Sequence, residues 1–409
     1  MKTNLAPLGP KAGKESVRSH NLSLVLRAVL DEGEATRAGI ASRVGLTRAA
    51  VSSLVDELID AGYLTEHGKA FSGQAGRPGT VLRMSRTGPA GLGVEINVDY
   101  ISASVVDLSG ADRFRLTEHT DNRGGPPADA LGRAAQLAAR ALASAEEHGL
   151  HAVAAELALP GLVSGGTVRQ APNLGWSQVA AEGVFAQALA AARPGHRALP
   201  VTAENEANLA ALAELWFGGL GPRRSFLYVS GEIGIGGALV VDGELFRGAH
   251  GFAGEIGHVV VRPDGPRCRC GANGCLEQYA GQAALLRAVG LDEKAGLDGV
   301  EELARRAAAG DEATVGALED AGQMLGLALS GAVNLLDPDA VVLGGIYRGL
   351  ARWLAAAAGR ELAQRVVSGL WAEDRLLAAS LAGTTVAARG AAAHAVWASL
   401  PRGAESRLR

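Results

Sequence analysis

Between Arg247 and Gly281 the chain runs RGAHGFAGEIGHVVVRPDGPRCRCGANGCLEQYAG, and no other stretch restricts its folding so tightly. All three cysteines of the 409 residues lie here, at Cys268, Cys270 and Cys275, with His258 ten residues ahead of the first. Three thiolates and one imidazole make a complete tetrahedral set for zinc. Four protein ligands leave no position for water, so the expected ion is structural and holds a loop in place. Buried free thiols with a stray disulfide are the plain alternative. Clustering of every cysteine beside a histidine favours metal. A catalytic zinc enzyme would need an open coordination position.

Carboxylates flank the cluster. Glu255 lies three residues before His258, and Glu277 lies two after Cys275. If Glu255–His258 form a helical turn, both side chains share a face. Carboxylates beside a fixed imidazole accept hydrogen bonds from hydroxyls, which is what a sugar offers. Each acid taken alone reads as a solvated surface residue. The pattern as a whole, GEIGH followed by CxCGxxGCLE, resembles the ROK family of bacterial repressors and sugar kinases. That resemblance implies that Glu255, His258 and Glu277 bind sugar hydroxyls, while the histidine and cysteines hold zinc.

The N-terminal part carries a different signal. Residues 1–20 are polar and read as a mobile arm. From Leu22 the apolar positions Leu22, Val25, Leu26, Val29 and Leu30 mark one helix face, ended by Gly33. Thr36 reads as the N-cap of a short helix over Arg37–Val44, stopped at Gly45. Thr47 caps a third, with Val51, Leu54, Val55, Leu58 and Ile59 inward. Two helices joined by a tight turn, then strands at Tyr63–Glu66 and Thr80–Met84, describe a winged helix-turn-helix over residues 21–86. The outer face of the third helix offers Thr47, Arg48, Ser52 and Ser53 to a major groove. Arg77 sits at the wing tip between Gly76 and Pro78, as minor-groove arms do. A small helical domain with a solvated face is the bland alternative. Residues 1–90 hold 12 Lys and Arg against 8 Asp and Glu, leaving −8 on the remainder of a chain of net charge −4. A basic front on an acidic body hints at double-stranded DNA at one end only. The family resemblance agrees, since its repressors carry such a domain and its kinases do not.

A linker near Arg86–Ala90 leads into Gly91-Leu-Gly-Val-Glu-Ile-Asn-Val-Asp-Tyr100. The family's kinases have here a strand ending in Asp, then two glycines and a Thr, turning over ATP phosphates. This chain has Glu95 for the Asp, and Asn97 and Val98 for the glycines that let backbone approach phosphate closely. In VTAENEANLAALAE, Glu206 replaces the kinases' general-base Asp, and Asn205 keeps the neighbour that holds a hydroxyl. Asn173, in APNLGW, resembles a sugar-side contact. Glu232, in the glycine hairpin GEIGIGG, would repel phosphate.

The resemblance implies an α/β fold: the winged helix-turn-helix joined to a two-lobed actin-like, ribonuclease H-like ROK domain. Residues 89–212 form the first lobe, joined by a C-terminal helix at 386–400, and 213–385 form the second with the zinc loop. Sugar would occupy the cleft. No apolar run reaches about 18 residues and no early segment reads as a signal peptide, so the expectation is a cytoplasmic protein, away from membranes. The expected function is a sugar-responsive transcriptional regulator with no catalytic residue, acting as a homodimer or tetramer on a DNA operator. The effector is a sugar or sugar phosphate. A sugar kinase, or a regulator retaining kinase activity, is the alternative.

Overall fold

The computed structural model describes residues 14–70 and 79–400, except Ser368, Leu370 and Thr384. Its N-terminal unit has helices Lys14–Glu32, Arg37–Val44 and Arg48–Asp60, followed by strands Leu64–Ala70 and Gly79–Met84. The Thr36 and Thr47 hydroxyls accept from the amides of Gly39 and Ala50 at 3.1 and 3.2 Å, each meeting a donor that the helix start leaves free. A short strand, Ala35–Thr36, adds a third member to the wing sheet.

Two boundaries of this N-terminal part differ from the sequence expectation. The first helix starts at Lys14, so residues 14–20 are helix rather than arm. No Gly or Pro interrupts this polar segment, and Arg18 pairs with Glu57 of the third helix. The turn therefore needs no apolar stripe of its own. Residues 1–13 lie outside the described residues. The linker expected at 86–90 is shorter, because a strand already begins at Gly88. The Ser85 amide donates to the Tyr63 carbonyl at 2.9 Å, and the winged-helix core continues into Leu108 and Val396 of the body.

The body contains two five-stranded mixed sheets. The first runs Val201–Asn205, Leu150–Leu159, Gly88–Ile96, Tyr100–Asp107, Asp112–His119 across its width. The second runs Glu244–Phe246, Ile235–Val241, Phe226–Gly231, Ala340–Gly345, Leu376–Ala378. In each, parallel neighbours end at one edge: Ile96 and Asn205 in the first, Gly231 and Gly345 in the second. Carboxyl ends of parallel strands are where α/β folds leave a crevice. The lobe change expected after residue 212 falls inside the unbroken helix Glu206–Phe217, and the chain leaves that helix only at Gly218.

The last helix, Val386–Ala398, lies directly on strand Gly88–Ile96. A Cβ at Gly91 or Gly93 would stand 1.9 Å from the carbonyl oxygens of Ala392 or Ala388. Only glycine allows this approach. The same helix contributes Val396 to the winged-helix core, so one rigid element touches both. Among the described residues no helix is long and apolar enough to cross a membrane.

Candidate functional site

The loop after residue 258 is built around its cysteines. Val260 pairs with Cys275 and Arg267 with Asn273 as isolated bridges, and the Cys268 amide donates to Ala272 O at 2.8 Å. Gly274, at φ +71°, has the Arg262 carbonyl where a Cβ would be, 1.6 Å away. The hairpin closes only with glycine there. His258, Cys268, Cys270 and Cys275 then present four ligand atoms within 4.8 Å of one another. Cys270 Sγ and Cys275 Sγ are 3.7 Å apart, and Cys268 Sγ is 3.8 Å from His258 Nδ1. A tetrahedral ion with thiolates at about 2.3 Å requires sulfur separations of about 3.8 Å. The donor set fits a metal ion of the zinc type.

His258 turns its other nitrogen outward. Residues Ile256–His258 form a 3₁₀ turn, and His258 Nε2 lies 3.8 Å from Glu255 Oε2. This matches the shared face expected from the spacing. The six residues Asn173, Asn205, Glu206, Glu255, His258 and Glu277 line one cavity of about 90 Å³. They come from both sheets' crevice edges and from the metal loop. Asn205 caps the helix that starts at Glu206, accepting from the Ala207 and Asn208 amides at 2.9 and 3.2 Å. Its Nδ2 donates to Gly161 O at 2.9 Å and to Glu206 Oε2 at 3.1 Å. Glu277 accepts from the Ile235 amide at 3.3 Å. Burial raises the Glu206 carboxyl well above its ordinary range, with the charges of Glu95, Glu232 and Glu255 adding to it.

Sequence reasoning passed over Arg269. Placed between two of the cysteines, it lines the same cavity and donates from Nη1 to Asn173 Oδ1 at 3.1 Å. Its position inside the CxC segment was the available signal. An ion pair also joins the lobes nearby, Arg247 Nε to Glu204 Oε2 at 2.7 Å. The turn at Asn97-Val98 is closed on itself. Asn97 Oδ1 takes the Val98 amide at 2.6 Å, Tyr100 O takes the Asn97 amide at 2.9 Å, and both side chains are buried.

On the winged helix, Arg48 and Ser53 are exposed and Ser52 is half-buried. Thr47 is exposed, and its hydroxyl is engaged in the cap. Arg37 and Arg43 are held by Asp56, Glu66, Asp31 and Glu32. Arg48 has no such ion pair among the described residues. Arg77 lies outside them.

A winged helix fused to a two-lobed α/β body with a Cys/His loop at its cleft is the architecture of sugar-kinase-like regulators. Residues 91–397 match the ROK family and residues 23–70 the MarR family of winged helices. The chain belongs to the ROK family. It is 32% identical to the xylose repressor of Caldicellulosiruptor bescii, over 79% of this chain and 82% of that one. Its fold is similar to a ROK family transcriptional regulator, a homologue of the Escherichia coli MLC protein, with TM-score 0.76 at 23% identity, covering 95% and 98% of the two chains. A ROK family glucokinase from Streptomyces griseus, solved with glucose and AMPPNP, gives TM-score 0.62 at 26% identity, over 75% of this chain and 99% of that one.

Proposed function

We propose that this chain is a transcriptional repressor whose grip on DNA answers to a sugar held in the polar cavity. One observation carries the reading: the six hydroxyl-binding candidates converge in a single cavity of a chain that also bears a winged helix. His258 serves two purposes in it. Nδ1 faces the thiolates, so a bound zinc ion would fix the ring and leave Nε2 to meet a sugar hydroxyl. The metal's role is to hold this loop rigid. Asn205 and Glu206 approach the same hydroxyls from the other lobe, and Thr47, Arg48, Ser52, Ser53 and Arg77 contact an operator. The protein acts as a dimer, so sugar-driven rotation of the lobes changes the separation of its two winged helices. The named function of the Caldicellulosiruptor bescii relative makes D-xylose the first effector to try.

Phosphoryl transfer is disfavoured by the closed turn. Its amides at Asn97 and Val98 are already bonded, and Glu95 and Glu232 face the path a phosphate would take. A carboxylate at Glu206 is what keeps a kinase as the second reading. DNA fragments selected from a randomised pool by the full chain separate the two. Their affinity should change at least fivefold with D-xylose, D-glucose or N-acetylglucosamine, and Glu255→Ala should abolish that change. ATP-coupled sugar phosphorylation on the order of 10 per second, without a DNA response, would replace the repressor with a kinase.

A further inference from the structure

Behind the polar cavity the cleft opens into a larger one of about 290 Å³, and the two share Glu206, Glu232 and Gly236 as a common wall. Protein interiors pack to the density of organic crystals, so a space of several water volumes is a ligand space rather than a packing fault. Its sides are apolar, with Leu297, Val300, Ala304, Ile346 and Leu350. Its inner end carries Glu95, Glu206 and Glu232. None of these three carboxylates has an ion pair among the described residues. Hydrogen bonds hold them instead: Tyr100 Oη donates to Glu95, Asn205 Nδ2 to Glu206, and the Ser230 side chain to Glu232. Glu301 and Arg348, both exposed, also line the cavity, and Arg348 Nε donates to Ala379 O at 3.0 Å. Burial raises Glu95 to about 7, with the charge of Asp99 adding to it, and raises Glu232 to about 8, with the charges of Glu95 and Asp99 adding.

The chemistry missing from the buried acidic end of this space is a positive charge with an apolar body. A single metal ion does not supply it, because the His258 cluster is the one group of potential ligands close enough together among the described residues. A phosphate ligand would meet three acids. A primary ammonium can sit against one carboxylate while its carbon skeleton covers the apolar side, and a desolvated ion pair is worth most in such surroundings.

We propose that the large cavity is a second ligand site, which takes a primary amine carrying an apolar ring or chain. This site is separate from the sugar cavity and does not depend on the identity of the sugar. It reaches Glu95, whose other oxygen accepts the Ala388 amide of the last helix at 3.3 Å, so the amine would touch the element that enters the winged-helix core.

Calorimetric titration of the full chain at pH 7.5 tests this with three amines: phenethylamine, 4-phenylbutylamine and cyclohexylmethylamine. 2-Phenylethanol, phenylacetate and ATP serve as neutral, anionic and nucleotide controls. At least one amine should bind tenfold or more tightly than 2-phenylethanol, with no binding of phenylacetate or ATP. Glu95→Gln should weaken the amine tenfold and leave 2-phenylethanol unchanged. Gly349→Leu fills the cavity from a position where a Cβ has no neighbour within 4 Å, and should remove amine binding while the unfolding midpoint stays in place. Equal binding of amine and alcohol, tighter binding of phenylacetate or ATP, or silence with all three amines would each overturn the proposal.

Discussion

Arg269 Nη1 donates to Asn173 Oδ1 at 3.1 Å, joining side chains 96 residues apart in sequence. Arg269 belongs to the metal loop, and Asn173 sits on the turn between strands Thr167–Ala171 and Trp176–Val179. The loop held by the cysteines thus reaches across the cleft and touches the opposite lobe. Arg269→Ala should leave metal content unchanged. It should weaken sugar binding about tenfold, since a hydrogen bond from a charged donor is worth about 1.5–3 kcal/mol. Metal stoichiometry and a sugar dose response on one preparation check both halves.

Metal and sugar roles separate by mutation. Cys268→Ser should lose metal and sugar response together, because the loop is no longer held. Glu255→Ala should lose sugar response while metal content and DNA affinity stay near wild type. An unshifted dose response in Glu255→Ala would place the effector site elsewhere.

Arg48 is exposed at the start of the third helix without an ion pair among the described residues. Arg48→Ala should weaken operator binding by about 1–3 kcal/mol if the side chain reads a base edge. Arg77→Ala, in the stretch outside the described residues, should weaken it mainly at A·T-rich flanks. Fluorescence anisotropy at fixed salt measures both. Full affinity in the two variants would remove the winged helix from the DNA contact.

Glu95 titrates near 7 in the folded chain against an ordinary value of 4.5, because burial penalises its charged form. Between those values the unfolded chain has lost a proton that the folded chain keeps. Stability contributed by the neutral group is therefore full below about 4.5 and is lost as pH rises to about 7, a loss on the order of 3 kcal/mol. Glu95→Gln removes this loss: the amide can offer oxygen to Ala388 N–H and N–H to Tyr100 Oη. Its unfolding midpoint relative to wild type should be higher at pH 8 than at pH 4.5. A difference independent of pH would mean that Glu95 titrates normally.

Gly93→Ala places a methyl 1.9 Å from the Ala388 carbonyl and forces the last helix off the first sheet. Overpacking of this kind costs about 1–3 kcal/mol. The same shift should weaken the coupling between sugar and DNA more than it weakens either binding alone. Thermal unfolding and the sugar-dependent change in DNA affinity report the two effects.

Local chemistry made much of this legible in advance. Thr36 and Thr47 as caps, Gly45 as a stop, and the apolar stripe Val51–Leu58 defined the helix-turn-helix, because caps and periodicity act within a few residues. Three cysteines and a histidine in one short stretch defined the metal cluster for the same reason. The roles of Asn173, Asn205 and Glu206 came by resemblance to a family, and only the folded cleft brings them beside Glu255 and Glu277. Other features stayed hidden. Arg269 gains its partner Asn173 only where the two lobes meet, and the first helix begins before its apolar stripe because Arg18 finds Glu57. The volume behind Glu232 and the contact of the last helix with the winged helix depend on elements hundreds of residues apart, although the resemblance implies the return of that helix to the first lobe. Sequence determined where turns, caps and ligands fall, since those energies are short-ranged; tertiary packing decided which side chains share a cavity and which charges go without a partner.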